Sequence, residues 1–204
     1  MSPMRVLRTA SEAEVVAAYL RGELDSPRWG ERLAELLRED GVDASVVRTS
    51  NLDDAAECAY RERLLDRHRA WLRREGLFED FPEHVAWSRV ALTPEEVLAI
   101  RYINWKWWLR VSAGTRRPVD AAARIRRGEV AGVTAKEHEP IAARVRAAEP
   151  PAELIAVAPP DCSRLVVVEG HIRLTAYALY PEYLPAELEI YLGTAPDMHR
   201  WTEF

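Results

Sequence analysis

Residues 164–180, RLVVVEGHIRLTAYALY, constrain this chain more than any other stretch. An apolar run with three consecutive valines breaks at Glu169-Gly170, and a helix-like pattern begins. The switch predicts a strand, a tight turn and a helix N-terminus in immediate succession. Such a strand ends with backbone N–H groups directed outward, Gly170 lets a ligand approach the backbone closely, and His171 and Arg173 stand in the first helical turn. A turn of this kind suits an anion, a phosphate above all; the competing reading is a tight strand-to-helix turn whose Arg only pairs with a carboxylate.

The same residues carry a family resemblance. EGHIR resembles the D/E-G-H-x-R signature of the ParB/sulfiredoxin-like superfamily, in which a Gly-containing turn and its Arg hold the phosphates of a bound nucleotide. Partition CTPases read G-E-R-R there and sulfiredoxins G-C-H-R, while ParB-like small-molecule kinases such as the free serine kinases are similar to the present pattern. The resemblance covers residues 150–193, with 154–157 as the preceding hairpin strand, 159–163 as its turn and 187–192 as the strand after the helix. It implies ATP or ADP as nucleotide, with CTP as the alternative, together with Mg²⁺. It also implies nucleotide contacts from Gly170, His171, Arg173 and Thr175, and catalytic roles for Glu169 and His171. Glu169 would hold Mg²⁺ or act as base; a cap on the turn is its other reading. The sulfiredoxin nucleophile falls at His171, so that chemistry has no cysteine here, and Cys162 lies in the hairpin turn away from the motif.

Length and charge narrow the classes. The chain has 204 residues, enough for one large domain or two small ones, and the boundary is drawn at 1–90, a helical region, and 91–204, a nucleotide-binding region, with one continuous domain as the alternative. No apolar run reaches the ~18 residues a membrane span needs, and MSPMRVLRTASEAE turns charged too soon for a signal peptide. Cys58 and Cys162 are too few for a disulfide framework, and no Cys or His cluster has zinc spacing. These features describe a soluble cytoplasmic protein without a structural metal. A net charge of −5 disfavours a nonspecific nucleic-acid surface.

In chain order, Ser11 and Glu14 have capping-box spacing and predict a helix over 12–24. Pro27 and Gly41 bracket a second, near 27–40. Residues 52–75 place Leu64, His68, Trp71 and Leu72 on one apolar face, with Gly76 as the stop. His68 then faces the core or its edge as a packing residue. Residues 78–90 read as irregular. Thr93 and Glu96 open another capped helix whose 97–111 stretch, with Trp105, Trp107 and Trp108, is apolar on most sides and is expected to be the most buried helix.

The joint 112–118 ends that helix and starts the next at Pro118. Its small residues, with Thr115, Arg116 and Arg117, form a second phosphate-site candidate; a solvated cationic face is the competing reading. A helix over 137–148 ends at Pro150-Pro151, and the tail after Gly193 carries Met198, Trp201 and Phe204, which can dock on the body. The alternation and cap signals predict an α+β fold, a mostly helical N-terminal part on a small mixed sheet of 153–157, 164–168 and 187–192. The function expected from the resemblance is a nucleotide-dependent phosphotransferase acting on a small molecule. A nucleotide sensor without turnover and a ParB-like nuclease are the alternatives, and oligomeric state is left open.

Overall fold

The computed structural model describes residues 4–147, 149 and 153–204. Five strands form one mixed sheet: β1 (Arg5–Thr9), β2 (Ala86–Leu92), β3 (Ile155–Ala158), β4 (Val166–Glu169) and β5 (Leu188–Thr194), in the order β1-β2-β5-β3-β4. β3 and β5 run parallel, and the other neighbours are antiparallel. The three predicted strands are present within two residues of their expected bounds. The α+β expectation and the mixed sheet therefore hold.

Helices cover both faces. α1 (Glu12–Leu24), α2 (Gly30–Glu39), α3 (Ser45–Arg48) and α4 (Ala55–Arg69) pack with Ile155, Val157, Val166 and Val168 in one core. α5 (Pro94–Ala99), α7 (Pro118–Arg126) and α9 (His171–Leu179) pack on Ala156, Val167 and Ile190 in the other. Consecutive side chains of a strand point to opposite faces. A strand covered on both faces must be apolar at every position, which accounts for the three valines of β4. α6 (Lys106–Val111) lies beside the second core, and α8 (Glu139–Arg146) follows a short 3₁₀ turn at Lys136–His138.

The capped helices appear where the capping boxes put them. Ser11 accepts from the Glu14 amide, and Thr93 from that of Glu96. Gly41 takes the left-handed conformation after α2, although that helix begins at Gly30 rather than at Pro27. The stop predicted at Pro150-Pro151 lies outside the described residues.

Four expectations need correction. Residues 78–90 are not wholly irregular, because β2 starts at Ala86, and β1 was not foreseen at all. α4 stops at Arg69 with Ala70 left-handed, so Leu72 leaves the apolar face and is 51% exposed, whereas Trp71 is buried and its Nε1 donates to Glu12 at 3.0 Å. The single helix expected over 97–111 is broken. Its middle is extended, since the Arg101 amide donates to Leu165 O (2.8 Å) and Arg101 O accepts from Val167 (2.9 Å), adding a bridge to the outer edge of β4. That backbone is satisfied by the sheet edge and needs no helical partner. Finally, the 90/91 boundary falls inside β2, so one sheet draws strands from both sides of it. No helix among the described residues is long and apolar enough to cross a membrane.

Candidate functional site

β4 delivers Glu169 to the turn, and Gly170 makes the turn with φ 103° and ψ 22°. A β-carbon on Gly170 would lie 2.3 Å from Leu154 Cδ2. The space that a side chain would need here is filled by Leu154, a second reason for glycine at this position. α9 then begins at His171 without a side-chain cap.

Arg173 turns back across the turn. Its Nη2 donates to Glu169 Oε1 at 3.1 Å and to Glu153 O at 3.2 Å. The pair lies against Gly22 in α1, where a β-carbon would be 2.9 Å from Glu169 Oε1. Burial raises the pKa of Glu169; Arg173 opposes that shift, and Glu23 adds to it.

His171 is held by rings. It stacks on Trp108 at 5.0 Å between centroids, and Trp108 stacks on Tyr102 at 4.5 Å. Thr175 links the same group, donating to His171 O at 2.8 Å and lying 2.7 Å from the buried Tyr102 hydroxyl. Thr175 is thus a fastener of the turn. Burial, with the charges of Arg69 and Arg173, lowers the His171 pKa to about 3, so the imidazole is neutral near pH 7. Its buried Nε2 has no hydrogen-bond partner among the described residues.

These residues line a cleft of about 700 Å³. Glu169, Gly170, His171, Arg173 and Thr175 are all on its wall, so the motif residues predicted as a site are gathered at one cavity. Indoles of Trp29, Trp105, Trp107 and Trp108 supply much of the remainder. Trp105, 42% exposed, and Ile172, 49% exposed, are both on the cleft wall. The tryptophan cluster thus serves a cleft as well as a core.

The helical N-terminal part adds charges that sequence reasoning missed. Glu23 of α1 is 2% exposed and lies 3.0 Å from the buried His68, with His68 packed inside as expected. Arg69, the last residue of α4, is 3.4 Å from Glu23 and 3.4 Å from the Tyr19 hydroxyl, and its guanidinium lies 4.4 Å from the Trp29 ring centre. A signal existed: Val15, Tyr19 and Glu23 share one stripe of α1 at four-residue spacing, which puts a carboxylate on the buried face.

Thr115, Arg116 and Arg117 stand elsewhere and are not on the cleft wall. The Thr115 hydroxyl donates to Ser112 O and accepts from the Arg117 amide, and the Arg117 side chain is exposed. The Arg116 guanidinium serves the chain itself, donating to Tyr102 O (2.7 Å), Phe204 O (2.7 Å) and Glu203 O (3.0 Å). Cys162 sits in the β3–β4 turn with φ 50°, and burial raises its pKa.

Fold and site together define an α+β protein with an aromatic-walled, charge-floored cleft at the end of β4. The chain matches no protein-family model, no curated protein and no solved structure.

Proposed function

We propose that the cleft binds a nucleotide and that the protein is a nucleotide-dependent phosphotransferase acting on a small molecule, of the ParB/sulfiredoxin-like type that the EGHIR motif suggests. The observation that carries this reading is the uncapped N-terminus of α9 opening into a cavity that also holds exposed indole surface and guanidinium groups. A base needs a flat apolar platform, and phosphates need N–H donors and positive charge. A volume of about 700 Å³ accommodates a ligand of that size.

In this reading Glu169 is the base for the acceptor hydroxyl. Its burial gives it the proton affinity that general base catalysis requires. His171 contributes as a neutral hydrogen-bonding group fixed by its aromatic stack. The assignment of Mg²⁺ to Glu169 does not fit the residues as placed. Glu169 is held by Arg173 at 3.1 Å and Glu23 lies 3.0 Å from the buried His68, so neither carboxylate is uncommitted. The same pairing favours the second reading, nucleotide binding without turnover, because a carboxylate held at Oε1 by a guanidinium is a weaker base. A nuclease is disfavoured by the net charge of −5.

Thermal denaturation with ATP, ADP and CTP, each with and without Mg²⁺, tests the proposal. A nucleotide at 100 times its Kd adds about 2.7 kcal/mol of stability. Phosphorus NMR then separates turnover from binding. If none of the three nucleotides raises the melting temperature or gives heat on titration, the nucleotide reading is wrong.

A further inference from the structure

We infer that Arg69, contributed by the helical N-terminal part, is the guanidinium that holds the anionic group of the ligand on the cleft floor; this deepens the nucleotide reading and rests on it only for the identity of the ligand.

Four arginines line the cleft: Arg28, Arg69, Arg144 and Arg173. Arg173, the arginine of the motif, is engaged at 3.1 Å with Glu169 and at 3.2 Å with the Glu153 carbonyl, behind the turn. Arg28 and Arg144 are exposed, at the rim. Of the two deep arginines, Arg69 has the longer contacts, while Arg173 keeps a buried Nε without a partner among the described residues. The Arg69 side chain is 19% exposed, and its two polar contacts, to Glu23 and the Tyr19 hydroxyl, are both 3.4 Å, longer than a charged pair adopts when it is fully made. A guanidinium has five N–H donors in a planar fork, so these two contacts leave capacity for a bidentate anion.

Position and field agree with this role. Trp29 lies against the guanidinium at 4.4 Å and fixes its plane. The charge of Arg69 acts on both Glu169 and His171, which puts it electrostatically beside the first turn of α9. Around Arg69 the groups are Glu23, Glu169, Arg173, the Tyr19 phenol, His68 beyond Glu23, and the neutral His171. Two carboxylates balance two guanidiniums. With its side chain 19% exposed, Arg69 makes a charged hydrogen bond that is stronger than one on the open surface.

The experiment is calorimetric titration of pyrophosphate, and separately of ADP, into wild type, Arg69→Ala, Arg69→Lys and Arg173→Ala. Loss of a charge-assisted hydrogen bond should weaken both ligands at Arg69→Ala by roughly 10- to 100-fold, with Lys recovering part. Arg173→Ala should weaken them less. Since Arg69→Ala leaves Glu23 short of a cation, the Glu23→Gln/Arg69→Ala double variant is titrated as well and should bind as weakly as the single. Pyrophosphate binding within about twofold of wild type in either folded variant overturns the inference. If ADP binds wild type and both variants equally, the nucleotide reading survives and Arg69 is dismissed. Arg69-dependent pyrophosphate binding without any nucleotide binding does the reverse. A wild type that binds neither ligand ends both.

Discussion

His171 and Glu169 stand two residues apart on the same turn and respond oppositely to acid. The unfolded chain binds a proton at His171 below its ordinary value of 6.5, whereas the folded imidazole waits until about 3. Stability from this group is complete above pH 6.5 and is lost as pH falls toward 3. Glu169 has a raised folded pKa, so above 4.5 its contribution falls as pH rises. The two effects oppose each other between pH 4.5 and 6.5, and below 4.5 only the histidine slope remains. We predict that the stability advantage of wild type over His171→Gln, measured by urea unfolding from pH 7 to pH 3.5, shrinks as pH falls below 6.5, by up to about 1.4 kcal/mol per pH unit, Glu169 being common to both proteins. Parallel curves would contradict the buried, neutral imidazole. The motif itself was legible because a glycine between an apolar run and a helical pattern has few other meanings. The pairing of Arg173 with Glu169 was also legible, at a four-residue spacing, but nothing local indicates that Glu23 and Arg69 arrive from α1 and α4 to share the cavity.

At the scale of elements, local chemistry was readable and long-range pairing was not. The capping boxes at Ser11 and Thr93 mark their helices because the partners are three residues apart. The break at Ile100 depends on an edge of β4 more than sixty residues away, and β1 reads as polar because both its faces are largely exposed. The joint between α6 and α7 shows the same limit. Its arginines look like ligands of an anion, yet Arg116 ties three backbone carbonyls from two distant segments, including the last two residues of the chain. Arg116→Ala should therefore lower the unfolding free energy by roughly 2 to 3 kcal/mol through loss of charged hydrogen bonds, while nucleotide affinity in the folded variant stays within about twofold. Chemical denaturation and titration of the same sample check both halves. Unchanged stability would return Arg116 to the list of ligand candidates.

For the whole molecule, the sheet crosses the proposed boundary, and the cleft takes walls from α1 and α4 as well as from β4 and α9. Residues 91–204 expressed alone lack β1 and most of β2, and they leave Ile155, Val157, Val166 and Val168 without the helices that cover them. That fragment should show no cooperative thermal unfolding by circular dichroism; a sharp transition would establish an independent domain. The distribution of indoles carries a practical consequence. Of seven tryptophans, Trp71, Trp87 and Trp201 are buried away from the cavity, while Trp29, Trp105, Trp107 and Trp108 line it. Trp108 moreover lies face to face with an imidazole whose protonation would quench it. Intrinsic fluorescence is then a built-in, label-free reporter, in which a filled cavity changes the red, solvent-exposed part of the emission and leaves the blue part from the sealed interior as an internal reference.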